Sequence, residues 1–169
     1  FVVLGYLMGS ISSAVLVCKM SGLPDPRTEG SKNPGATNVL RLAGKQYAAL
    51  VMAGDVLKGT LPVVLAQWFG ADPTVLAFTG LAAVTGHVYP VFFEFKGGKG
   101  VATALGALFG MYFMLGVVVA AIWLVVAKLW KYSSLASLTS MLAAPVVALG
   151  MTGNINIFPP ILAMTILIF

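Results

Sequence analysis

The chain has 169 residues, 59% of them hydrophobic and 9% charged, with a formal net charge of +5. Soluble domains are about 25% charged, so this composition, at a mean hydropathy of +0.98, excludes a soluble globular protein, a disordered chain and a disulfide scaffold. A single cysteine, Cys18, and a single histidine, His87, exclude an intrachain disulfide, a CxxC metal site and a histidine-based metal cluster. What remains is an all-α polytopic membrane protein, one integral-membrane domain over residues 1–169.

A spanning helix needs about 20 apolar residues. The first candidate covers residues 1–17. It lacks a basic leader and a small-residue cleavage site, so it reads as a span and not as a signal peptide. Residue 1 is Phe and the chain stops inside an apolar run, which reads as a piece trimmed at both ends, its C-terminal tail missing. Gly9, Ser10, Ser12 and Ser13 read as close-packing residues of the first helix.

Residues 25–41 then form a long polar segment, read as a structured turn region without helix. Ser31, Asn33, Thr37 and Asn38 offer hydroxyls and amides, and Gly30 and Gly35 let a backbone approach a ligand. Arg27, Lys32 and Arg41 add positive charge. Together these are the parts of a phosphate or carboxylate cradle. It is not a Walker A loop, because Ala36 stands where that motif needs lysine.

The second span, 47–69, holds Asp55 and Lys58 at i, i+3. Charges at that depth face the bundle interior, where the pair either orients a substrate or braces the loops. The third span is 73–93. His87 near its end is available as a general base but reads first as a structural, hydrogen-bonded group. Gly97, Gly98, Lys99 and Gly100 lead into the next helix near Val101 and read as an anion site at a helix N-terminus.

Residues 101–127 are apolar throughout, yet both flanks are basic: Lys96 and Lys99 before, Lys128 and Lys131 after. If basic connections all lie inside, this run is a hairpin of two short helices turning near 110–115, each arm roughly 18–22 Å long. Ser134 and Ser137 share a face at the start of the span 135–151, with one of them capping it. A last span begins at 157. Trp68, Trp123 and Trp130 read as interface anchors.

Nine of the ten Lys and Arg flank three connections, while 70–72 and 152–156 have none. The expected arrangement is about seven spans, N-terminus outside and C-terminus inside, with the polar segments in the cytoplasm. Six spans with one basic loop outside is the alternative.

The motifs resemble, in order along the whole chain, the bacterial acyl-phosphate-dependent glycerol-3-phosphate acyltransferases. The resemblance rests on Gly30-Ser31-Lys32-Asn33-Pro34-Gly35-Ala36-Thr37-Asn38-Val39-Leu40-Arg41, on Gly86-His87-Val88-Tyr89-Pro90 running into Phe95-Lys96-Gly97-Gly98-Lys99-Gly100-Val101-Ala102-Thr103, and on Tyr132-Ser133-Ser134-Leu135-Ala136-Ser137. Asp55-Val56-Leu57-Lys58-Gly59 and Tyr6-Leu7-Met8-Gly9-Ser10 fit as well.

It implies a seven-span bundle in the bacterial inner membrane that moves a fatty acyl group from acyl phosphate to the 1-hydroxyl of sn-glycerol 3-phosphate. The products are lysophosphatidic acid and phosphate, at the opening step of phospholipid synthesis. The partners are the two substrates and membrane lipid, with no cofactor, metal or nucleic acid. Carried over by position, Ser31, Arg41 and Lys99 are catalytic. Thr37, Asn38, Gly97, Gly98, Gly100, Ser134 and Ser137 bind substrate or phosphate. Asn33, Gly35, Asp55, Lys58 and His87 support them. The His–Asp pair of soluble-type glycerolipid acyltransferases is absent, because Phe92 stands five residues after His87. Members of the family continue into a short basic tail that this chain lacks. A transporter or channel for small phosphorylated anions and a structural subunit binding lipid headgroups are the rival readings.

Overall fold

Every apolar run folds into helix in the computed structural model, which describes residues 1–169 and contains no strand. The first run does not stay continuous. It divides into α1 (Val2–Gly9) and α2 (Ser13–Met20). At the break, Ser10 turns its hydroxyl back to the Tyr6 carbonyl at 2.8 Å. Ile11 keeps a carbonyl that no backbone donor takes. Gly9 and Ser10 are buried as close-packing residues, but Ser12 and Ser13 mark the restart of the helix and not its interior.

The polar segment is not helix-free: α3 (Ala36–Ala43) begins directly after Gly35. Next comes α4 (Lys45–Trp68), which continues through Pro62. A proline is tolerated in an apolar helix whose neighbours surround it. Asp72 caps α5 (Pro73–Val88) by accepting from the Thr74 and Val75 N–H groups. A short 3-10 turn, Val91–Phe93, follows.

The expected hairpin is present as α6 (Val101–Met111) and α7 (Phe113–Trp130), hinged at an extended Tyr112 with φ −145° and ψ 111°. The arms are unequal, about 16 and 27 Å long. The short arm is the most enclosed helix: Thr103, Ala104, Gly106, Ala107, Leu108, Gly110 and Met111 are all buried. Surrounded by protein on all sides, α6 is not required to match the bilayer. Then come α8 (Ser133–Thr152), a 3-10 turn at Ile155–Ile157, and α9 (Phe158–Ile168). Neither Ser134 nor Ser137 caps α8, which starts at Ser133 without a side-chain cap.

Five helical segments are long and apolar enough to cross a membrane, and Val101–Met111 and Ile155–Ile168 are shorter apolar helices. Glycines let them pack closely. A Cβ on Gly59 or Gly106 would enter the backbone of the facing helix, so α4 and α6 meet there in direct contact. Gly5 and Gly9 do the same for α1 against α5. Because the helices alternate in direction, the connections 21–35, 89–100 and 131–132 gather at one end. Phe1 and Phe69, with rings 6.0 Å apart, mark the other.

Candidate active site

At the end that collects the basic connections lies a cavity of about 690 Å³. One wall is the loop before α3, and Asn38 builds it. Its amide nitrogen donates to the Pro26 and Glu29 carbonyls at 2.9 and 3.0 Å, and its oxygen accepts from the Ser31 N–H at 3.0 Å. Gly30 takes a left-handed φ of +60°, and any Cβ there would overlap the Asn38 oxygen. The chain therefore wraps around one buried amide. Ser31, Asn33, Gly35 and Thr37 are left along the cavity, with Arg41 one turn beyond Thr37. Asn38, expected to bind substrate, does border the cavity, and its amide nitrogen and oxygen also bond within the loop.

Arg41, Lys45 and Lys99 line the cavity from three separate elements, and none has a carboxylate partner. Two other loop cations, Arg27 and Lys96, are paired away from the cavity. Arg27 forks onto Asp25 with Nη2–Oδ2 at 2.7 Å and lies over the Phe93 ring. Hydrogen bonds from the Arg27 side chain hold the Asp25 carboxyl below its ordinary value and raise that of Arg27. Lys96 pairs with Glu94 at 2.8 Å and lowers that carboxyl in the same way. Lys32, expected to add charge, does not line the cavity. Three unpaired cations thus converge where an anion can enter.

Ser133, Ser134 and Ser137 face them from the first turns of α8. The Ser137 hydroxyl donates to the Ser133 carbonyl at 2.8 Å and accepts from Trp123 Nε1 at 3.1 Å. Ser134 is exposed and free of such bonds. Trp123 is thus a wall of the cavity and not an interface anchor, whereas Trp68 and Trp130 lie exposed at helix ends as expected. Ala48, Ala49, Met52, Leu105, Leu138 and Ile168 make an apolar flank to the polar mouth.

Gly100 lines the cavity beside Lys99, but Gly97 and Gly98 do not. They are packed against His87: a Cβ on Gly97 would overlap the His87 carbonyl, and one on Gly98 would overlap Nε2 of its ring. Asp55 and His87 reach the cavity wall, while Lys58 lies behind them. Lys45, Ser133 and Trp123 line the cavity as well, though their residue types did not mark them as site residues. Lys45 had a visible signal, four residues after Arg41; the others are brought in by helix packing alone.

The sequence model of a family described as glycerol-3-phosphate acyltransferase matches residues 1–169. A glycerol-3-phosphate acyltransferase of Legionella pneumophila strain Philadelphia 1 is 62% identical over 167 residues, 99% of this chain and 60% of its own length. This chain therefore spans about three fifths of that relative. The Methylococcus capsulatus protein of the same name is 50% identical over 163 residues, 96% of this chain and 82% of its own. Among solved structures, the crystal structure of PlsY (YgiH), an integral membrane glycerol 3-phosphate acyltransferase in its glycerol 3-phosphate form, is similar at a TM-score of 0.92. Identity is 44%, over 99% of this chain and 84% of that one. Its lysophosphatidic acid form gives 0.89, with 44% identity over 99% and 83% of the two chains.

Proposed function

The chain belongs to the glycerol-3-phosphate acyltransferase family, and from that premise we propose that it acylates the 1-hydroxyl of sn-glycerol 3-phosphate, with fatty acyl phosphate as donor. The observation that carries this reading is the cavity itself. Arg41, Lys45 and Lys99 stand unpaired at a polar mouth whose flank is apolar. Both substrates bear phosphate, which charge-assisted donors bind strongly, and the donor's fatty chain needs an apolar wall.

In the reaction the glycerol oxygen attacks the acyl carbonyl carbon. A carbon–oxygen ester bond forms, the bond to the phosphate oxygen breaks, and inorganic phosphate leaves with the electron pair. The departing phosphate takes the hydroxyl proton. An acyl phosphate is already activated, so no covalent enzyme intermediate is needed. Catalysis is then positioning and charge stabilisation. Ser31, Thr37, Arg41, Lys99, Gly100 and Ser134 contact the substrates directly. Asn33 and Gly35 shape the wall that Asn38 holds, and Ser137 keeps Ser133 and Trp123 in place.

The protein works as one multi-pass unit in the bacterial inner membrane. Seven passes with the N-terminus outside put its basic end, and hence the cavity, in the cytoplasm. Confinement of the polar groups to one end favours this one-sided site over an anion transporter, whose site belongs near the midplane.

The test is acyl transfer by the full-length protein from palmitoyl phosphate, acyl-CoA or acyl-carrier protein to labelled glycerol 3-phosphate. Lysophosphatidic acid formed from acyl phosphate alone, and lost in Arg41→Ala and Lys99→Ala, is the expected result. Equal use of a thioester donor overturns the donor assignment, and no product from any donor overturns the reading.

A further inference from the structure

Four buried side chains outside the substrate-facing set form one connected path. It starts at the break in the first span, where the orphan Ile11 carbonyl takes the Lys58 ammonium at 2.7 Å. Lys58 pairs with Asp55 Oδ1 at 3.0 Å. That same oxygen lies 3.6 Å from His87 Nδ1, whose other neighbour is the Thr103 hydroxyl at 3.0 Å. Gly98 then sits on the imidazole: its N–H donates to the His87 carbonyl at 3.2 Å and its Cα faces Nε2. Lys99 and Gly100 follow directly and face the cavity.

The geometry points to Asp55 and Lys58 as positioning residues: they hold the His87 ring with its proton on Nδ1, as a seat for Gly98, and so set where Lys99 and Gly100 meet a phosphate. This rests on the phosphate-binding reading of the cavity. A carboxylate beside Nδ1 favours a proton there and repels a lone pair. The Nδ1–H group then donates to Thr103, and Nε2 is left bare. Gly98 packs close to Nε2, where any Cβ would overlap the ring nitrogen, so the loop follows the ring's placement.

Asp55 Oδ1 has no well-aligned donor even though Lys58 is near, and 3.6 Å is long for a hydrogen bond. Its hold on the ring is therefore electrostatic and depends on its charge. Lys58 in turn keeps that charge in place at a depth where an unpaired carboxylate is not tolerated. If bracing were the only need, apolar side chains would serve as well, because buried ion pairs rarely add net stability.

The experiment uses the full-length protein in detergent, with Asp55→Asn, Lys58→Met and the charge-balanced double variant. Imidazole nitrogen spectra, with the His87 signal assigned by its loss in His87→Asn, report the tautomer. Thermal unfolding reports the fold, and kcat and KM are read for each phosphate-bearing substrate. In the unsubstituted protein the proton is expected on Nδ1, and in Asp55→Asn it moves toward Nε2. KM for at least one substrate then rises about tenfold or more, the scale of one charge-assisted hydrogen bond, while kcat falls less. The double variant regains thermal stability but neither the tautomer nor KM. If Asp55→Asn alone does not fold, the double variant supplies both readouts. Recovery of KM in the double variant, or an unchanged tautomer without Asp55, overturns the proposal. Absence of turnover by the unsubstituted protein refutes the acyltransfer reading instead, and leaves the tautomer comparison to decide the positioning role.

Discussion

Gly59 lies where α4 crosses α6, and a single methyl group there should damage the protein more than its size suggests. A Cβ on Gly59 would overlap the Thr103 carbonyl oxygen and stand 3.0 Å from both Ala107 N and Thr103 C. All three are backbone atoms, so no rotamer change relieves the overlap. A carbon–oxygen contact needs about 3.3 Å, which requires α6 to withdraw by roughly 1 Å. Overpacking of this kind costs about 1–3 kcal/mol in stability. The effect on activity should be larger, because α6 carries Lys99 and Gly100 at its start. A misplacement of about 1 Å can lower a rate by about 10²-fold.

Gly59→Ala is therefore expected to unfold earlier in detergent and to lose about a hundredfold in kcat/KM for acyl transfer. Gly150→Ala is the matched control. That glycine lies within α8 with nothing within 4 Å of a Cβ, and replacing a helix-interior glycine gains about 0.5–1 kcal/mol. The reasoning fails if Gly59→Ala keeps full activity and unfolds no earlier than Gly150→Ala.

Asn38→Ala removes three hydrogen bonds of about 1 kcal/mol each. It should raise KM and expose residues 26–35 to limited proteolysis; unchanged cleavage would mean that the loop holds itself. Trp123→Phe loses only the bond to Ser137, so stability falls by about 1 kcal/mol while turnover, measured in the same assay, stays within tenfold. The Asp72 carboxyl is held below its ordinary value by the Thr74 and Val75 N–H groups. Its stabilising contribution is complete above the unfolded-state value near 4 and is lost as pH falls through the lowered folded-state value. Asp72→Asn should therefore flatten the decline of the thermal midpoint on the acid side.

Much of this architecture was legible because membranes impose simple rules. The basic flanks of 101–127 demanded a hairpin, and Tyr112 is its hinge. Apolar length alone found α4 and α8 to within two residues at each end. The break at Ser10–Ser12 was hidden, because its partner is Lys58, forty-seven residues away, and serine in an apolar run does not by itself end a helix. The α3 helix was masked by the Gly, Pro and Asn around it. For the site, charge and turn chemistry brought out Ser31, Arg41 and Lys99, which do meet at one cavity. Residue type could not show that the Asn38 amide, which borders the cavity, also bonds within its own loop. Nor could it separate Gly100, which borders the cavity, from Gly97 and Gly98, which are pressed against His87. Trp123 joins Ser137 through the packing of α7 on α8, a contact that no local pattern announces.

Asp55 and Lys58 stand one turn apart on a single helix, and this matters for biogenesis before it matters for chemistry. A lone Asp or Lys at the centre of an inserting segment adds about 2.5–3.5 kcal/mol to the cost of leaving the translocon. As an intrahelical pair, the two charges mask each other before α5 or α6 has been made. The nascent α4 can thus enter lipid as a nearly neutral rod and carry its polar cargo to the interior without waiting for a partner. His87 and Thr103 meet a carboxylate that is already in place. A variant lacking either charge would be depleted from the membrane during synthesis, a loss seen in yield per cell and independent of any assay of turnover.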